Sequence, residues 1–193
     1  GVNSGYSNLN AQYGVFIGQS SGYANTVGNF NTFIGSFAGE CNTSGSCNTF
    51  IGLQSGRCST ISNDNTYLGK CAGYNNTSGS CNTFIGTGAG YVNLGSFNTG
   101  LGFCSGNNNA TGSCNTYIGY MSGPAASSNY CNSISIGANS VISCSSQFSL
   151  ASSTNPLGTA SSATQFGLGL CGPAFWLCVT INGVDGKLPI YGV

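Results

Sequence analysis

Asn31-Thr32-Phe33-Ile34-Gly35 runs into Ser36-Phe37-Ala38-Gly39 and then Asn42-Thr43 and Gly45, after which Asn48-Thr49-Phe50-Ile51-Gly52 begins the pattern again. The glycine that closes each Asn-Thr-aromatic-Ile block returns at Gly18, Gly35, Gly52, Gly69, Gly86, Gly102, Gly119 and Gly137, in steps of 17, 17, 17, 17, 16, 17 and 18 residues. Gly1 stands 17 residues before Gly18, so the repeat is already running at the first residue. A short fixed period with glycine in constant phase is the signature of a solenoid.

Counting each repeat from its glycine as position 0 resolves the pattern into columns. Position −4 holds Asn31, Asn48, Asn65, Asn82, Asn98 and Asn115, and Asn132 closes the series. Position −2 holds Phe16, Phe33, Phe50, Tyr67, Phe84 and Tyr117, with Gly100 as the exception. Position −1 holds Ile17, Ile34, Ile51, Leu68, Ile85, Leu101 and Ile118. Position +3 is always Ser or Ala, and position +4 is glycine from Gly22 to Gly123.

A coil of about 17 residues is too short for a helix-containing repeat. It suits short strands and turns, stacked as parallel sheets about 4.8 Å apart. Glycines at 0 and +4 then supply positive-φ corners, and the Asn columns satisfy turn backbone groups from coil to coil through side-chain amide ladders. The expected fold is all-β, a parallel β-solenoid over residues 1–151.

Side chains alternate along a strand, so Thr and Ile share one face and Asn and the aromatic share the other. Either Ile points inward and the aromatic column outward, or the reverse. In both cases one apolar column, Phe33-Phe50-Tyr67-Phe84-Tyr117 or Ile34-Ile51-Leu68-Ile85-Ile118, lies outside the core of a single chain. An apolar stripe of that length marks an interface, and three chains packed around a common axis would bury it; a wide coil that bends enough to bury both columns is the alternative.

The charge inventory of the 193 residues is Glu40, Asp64 and Asp185 against Arg57, Lys70 and Lys187. Zero net charge gives nothing to steer the chain toward nucleic acid or an anionic membrane. No apolar run is long enough for a membrane-spanning helix, so no membrane insertion is expected. The start at Gly1 without Met reads as a mature or truncated piece of something longer.

The Asn-Thr/Ser-x-Ile-Gly blocks, ending in Asn132-Ser133-Ile134-Ser135-Ile136-Gly137, resemble the head repeats of trimeric autotransporter adhesins and the repeat stalks of phage and giant-virus fibre proteins. The resemblance covers about residues 1–151 and implies a left-handed β-roll assembled as a trimer. It also implies exposure on a virion or cell surface and contact with a host-surface receptor or glycan. Most coils here are longer than those of the adhesin heads; residues 132–151 read as the shorter form.

From Ser152 the period is lost. Residues 152–164 read as a Ser/Thr/Ala/Asn linker, and residues 165–193 as a C-terminal β cap. Phe175 to Ile181 and Lys187 to Tyr191 flank Asn182-Gly183 and Asp185-Gly186, a hairpin signal.

The absence of histidine excludes Ser-His-Asp and Cys-His arrangements. The carboxylates sit at unrelated phases and do not make a pair. Gly167-Leu168-Gly169-Leu170-Cys171-Gly172 matches a dinucleotide fingerprint by letter but runs into Pro173 and a strand-like stretch, so it is chance. No enzyme, cofactor or metal is expected.

The 11 cysteines include Cys47, Cys81 and Cys114 at +12, with Cys131 in the equivalent place and Phe30 and Phe97 in the same column, which therefore reads as interior. Cys41 and Cys58 share +6 on neighbouring coils. Stacking allows the pairs Cys41–Cys58 and Cys114–Cys131, and Cys171 with Cys178 would close the cap; the alternative is that most cysteines are small apolar fillers. Asn42, Asn76 and Asn109 share +7 and begin glycosylation sequons, as does Asn75. Such sequons also arise by chance in an Asn/Thr-rich repeat.

The expectation is a structural fibre, stalk or adhesive head segment acting through rigidity and multivalent contacts. A self-assembling extracellular filament and an ice-binding solenoid are the alternatives. The Thr32, Thr49, Thr66 and Thr83 rank counts only partly for ice binding, since it lacks a flanking Thr rank.

Overall fold

The computed structural model describes residues 1–150 together with two strands, 175–181 and 184–190. Two compact units divide the chain, Gly1–Asn155 and Pro156–Val193. The first is a parallel β-solenoid with, besides a second short strand in the last two coils, one short strand per coil in the main sheet. These are β1 (Val15–Ile17), β2 (Thr32–Ile34), β3 (Thr49–Ile51), β4 (Thr66–Leu68), β5 (Thr83–Ile85), β6 (Thr99–Leu101) and β7 (Thr116–Ile118), then β9 (Ile134–Ile136) and β11 (Phe148–Leu150). Together they form a nine-stranded sheet in that order. Like sits on like: Thr32 opposes Thr49, Phe33 opposes Phe50 and Ile34 opposes Ile51.

The aromatic column is inside. Phe33, Phe50, Tyr67, Phe84 and Tyr117 are all fully buried. The rings stack coil on coil, Phe33 to Phe50 at 4.9 Å and Phe50 to Tyr67 at 4.7 Å between centroids. The Asn column at −4 shares that face and forms the expected ladder. Asn48 Oδ1 accepts from the backbone N–H of Asn65 at 3.0 Å and from its Nδ2 at 3.2 Å, and Asn65 Nδ2 also donates to the Gly79 carbonyl at 3.0 Å. These amides silence turn carbonyls that no strand partner reaches, a requirement for any buried backbone group. Small residues at +3, such as Ala38, Ser55 and Ala72, are buried beside the rings.

Corner glycines do the steric work. Gly52 has φ +134, and a Cβ there would lie 2.5 Å from the Gly69 carbonyl oxygen of the next coil. At Gly100 the missing aromatic leaves no hole: an added Cβ would lie 2.7 Å from the Phe84 ring. The Tyr117 ring of the following coil reaches back to Gly106, where an added Cβ would meet it at 2.4 Å.

Two register changes depart from the sequence reading. The 18-residue step puts Ile134 opposite Thr116, so Ser133, not Asn132, takes the next rung of the Asn ladder and its N–H donates to Asn115 Oδ1 at 2.9 Å. The extra residue is absorbed near β8 (Gly123–Pro124), which pairs with β10 (Val141–Ile142). The coil then shortens: Phe148 opposes Ile134, and the ring slot passes to buried Ser135.

In the second unit β12 (Phe175–Ile181) and β13 (Val184–Ile190) pair antiparallel, Ile181 opposite Val184. Asn182-Gly183 therefore separates the strands and Asp185-Gly186 belongs to β13. The linker at 152–164 and the rest of the 165–193 segment lie outside the described residues.

Candidate functional site

With the rings inside, the outward members of each strand are Thr and the aliphatic residue. Ile17, Leu68, Leu101 and Ile118 are 56%, 44%, 46% and 36% exposed, while Ile34, Ile51 and Ile85 are half-buried between their neighbours. Beside them runs the Thr rank, with Thr66 and Thr99 exposed and Thr32, Thr49, Thr83 and Thr116 half-buried. Of the two columns left open by the sequence, the Ile column is therefore the outer one. The sheet holds no charged side chain, since Arg57, Glu40, Asp64 and Lys70 all fall in the turns.

The +12 column, expected inside, is outside. Tyr13, Phe30, Cys47, Asp64, Cys81, Phe97 and Cys114 are all exposed, and all have φ between 57 and 61. That left-handed corner turns the side chain away from the coil, which is why a Phe there does not signal core. Asn132 takes the same corner with φ 58, opposite Cys114 by the register of the strands that follow. Cys131 accordingly lies opposite Ser113, whose N–H points to its Sγ at 3.3 Å.

Cys41, Cys58, Cys114 and Cys131 are free thiols, so neither expected pairing is formed. Burial pushes the Cys41 thiol up, and the neighbouring Cys58 adds to the effect. The side chains of Cys171 and Cys178 lie outside the described residues.

The sequon asparagines do not form a surface ridge. Asn42, Asn76 and Asn109 are fully buried, each with its Nδ2 donating to a turn carbonyl: Gly45 at 3.0 Å, Gly79 at 2.6 Å and Gly112 at 2.7 Å. The +7 phase is a second internal amide column, and a glycan on these nitrogens is incompatible with the fold. Asn75 is half-exposed.

One charged cluster lies on the turn side. Arg57 Nε donates to Glu40 Oε2 at 2.5 Å and its Nη1 to the Tyr74 hydroxyl at 3.2 Å. Its guanidinium lies 5.3 Å from the Phe37 ring centroid. The hydrogen bond to Glu40 holds the guanidinium firmly protonated. Arg57 thus joins Glu40 and Tyr74 of the two neighbouring coils, so the cluster reads as a clasp between coils. A shallow recess of 230 Å³ beside Cys104, Met121 and Pro124 contains no charged side chain and is below the usual range of ligand pockets, about 300–1,000 Å³. Among the described residues no three His, Cys, Asp or Glu side chains gather as metal ligands.

Compared with family models, with curated proteins and with solved structures, the chain gives no match. The solenoid geometry and its exposed face carry the functional argument alone.

Proposed function

We propose that the chain is a structural fibre segment whose copies pack through the Thr/Ile sheet face, as a trimer of left-handed β-rolls around a common axis. The observation that supports this is the unbroken aliphatic rank from Ile17 to Ile118, held outward and in register across the first seven strands of the sheet. Water gains from covering such a stripe about 25 cal/mol per Å² of apolar area, and no charge on the face opposes it. In this reading residues 165–193 cap the rod, the rod stands on a virion or cell surface, and the exposed turns meet a receptor or glycan many times over at low individual affinity.

Light scattering on the purified chain tests the reading. A three-chain mass, reduced by Leu68→Lys, is the expected result; a one-chain mass overturns it. A mass that climbs with concentration would replace the trimer with the filament.

Ice binding is the second reading, supported by the outward Thr rank on a face without charge; the rank beside it is aliphatic rather than Thr. Thermal hysteresis at micromolar protein is the measurement for it, and its absence removes the idea.

A further inference from the structure

The corner ridge beside the Thr rank carries three exposed free thiols, Cys47, Cys81 and Cys114. Each occupies a left-handed corner, φ 59, 59 and 61, a conformation that glycine or asparagine fills with less strain. They fall on alternate coils, with Asp64 between the first two and Phe97 between the last two. Two coil rises separate neighbouring thiols by about 9.6 Å, beyond the Cα separation that a disulfide spans, about 4.4–6.8 Å. Along the ridge no thiol can therefore pair with another of its own chain. Cys131 Sγ, the nearest sulfur beyond the ridge by register, is turned to the Ser113 N–H.

We propose that this ridge cross-links copies of the chain through disulfides, with Cys47, Cys81 and Cys114 bonding in pairs to ridge thiols of neighbouring copies; the odd number of ridge thiols in a trimer leaves at least one of them free. The proposal rests on the fibre reading, in which the ridge, two residues before the Thr of each strand, borders the packed Thr/Ile face. The ridge is otherwise apolar at Tyr13, Phe30 and Phe97, which are 72%, 57% and 62% exposed, so covering it also removes three rings from water.

The chemistry is thiol–disulfide exchange with a small-molecule disulfide. A ridge thiolate attacks one sulfur of the reagent, forming a mixed disulfide and releasing one small thiol. A thiolate of the neighbouring chain then attacks the ridge sulfur and releases the second small thiol, leaving one S–S bond between chains. The two electrons end on the two released thiols, and the protons lost from the ridge thiols go with them.

The chain is incubated with oxidised glutathione and run on a denaturing, non-reducing gel, and linked peptides are mapped by mass spectrometry. The expected result is a multi-chain band whose linked peptides contain Cys47, Cys81 and Cys114, and which is lost in the C47S/C81S/C114S variant. These side chains are exposed, so the variant keeps its circular dichroism spectrum. Its native mass under reducing conditions reports separately on packing: a multi-chain mass there leaves the fibre reading intact whatever the gel shows. Equal cross-linking in the triple variant, or disulfides confined within single chains, would overturn the proposal.

Discussion

Asn42 Nδ2 lies 2.6 Å from Asn25 Oδ1 on the preceding coil and 3.0 Å from the Gly45 carbonyl of its own. Both of its N–H bonds are used inside a fully buried site. Any folded, protease-resistant material should therefore have an intact mass free of N-glycan at Asn42, Asn76 and Asn109, even when it is made in a glycosylating secretory pathway. A glycan found on any of the three in folded protein would contradict the buried ladder.

Asn48→Ala removes the acceptor for two donors of Asn65 and the donor to the Ser62 carbonyl. Leaving buried groups unpaired costs about 1–3 kcal/mol each, so the variant should lose about 3 kcal/mol or more. Urea unfolding followed by circular dichroism reads this directly. Thr49→Ala, one residue away on the outer face, should change stability by less than about 1 kcal/mol.

Gly100→Phe restores the letter that the repeat lacks and should nevertheless destabilise. The Cβ alone would lie 2.7 Å from the Phe84 ring and 3.0 Å from Ser105 Oγ. Overpacking of a filled core costs about 1–3 kcal/mol. A thermal melt should show a lower midpoint than wild type; a higher one would mean that a hole exists there.

Two buried tyrosines define an alkaline limit. Burial holds Tyr67 and Tyr117 above the ordinary tyrosine value of 10, with the Asn76 and Asn82 hydrogen bonds partly offsetting this at Tyr67. In the unfolded chain both ionise from about pH 10, so above that pH the unfolded state binds fewer protons and stability falls. The slope should reach about 1.4 kcal/mol per pH unit for each tyrosine. Below pH 9 these two groups contribute no slope. Tyr117→Phe should lessen the fall, and at neutral pH it should cost little, because the Tyr117 hydroxyl has no hydrogen-bond partner among the described residues. Denaturant titrations between pH 8 and 12 provide the check.

Arg57→Ala opens the clasp to Glu40, Tyr74 and Phe37. Its side chain and that of Glu40 are 32% and 21% exposed, so solvent screens the pair. The expected loss is about 1 kcal/mol or less, measured by chemical denaturation with and without Glu40→Ala to isolate the coupling.

Period, corner glycines and the −4 amide ladder were legible in the letters, because each column repeats a residue type with one geometric use. Alternation alone left open which of Phe33 and Ile34 points inward; the structure decides it, because Asn31 faces inward to reach the Gly45 carbonyl and Phe33 shares its face. Phe30 and Phe97 misled because a large apolar residue suggests core, while their φ values of 57 and 60 send them outward. The sequons misled likewise, since Asn42 and Asn76 match a modification signal at a phase where the fold needs an amide. The shift that carries Cys131 away from Cys114 arises from one added residue around Pro124, and spacing does not say where a coil absorbs an insertion.

Hydrogen bonds that run from coil to coil, such as Thr49 N–H to the Asn65 carbonyl at 2.8 Å and Gly52 N–H to the Ile34 carbonyl at 2.7 Å, load in sequence when the two ends of the chain are pulled apart. Each coil shields only its neighbours, so the rod should yield in steps. One step frees 17 residues, about 58 Å of extended chain at roughly 3.4 Å per residue. A row of nearly equal steps in a single-molecule pull is the mechanical form of the sequence period, and it would let a tethered solenoid absorb a tug by losing coils from an end while the remainder stays folded.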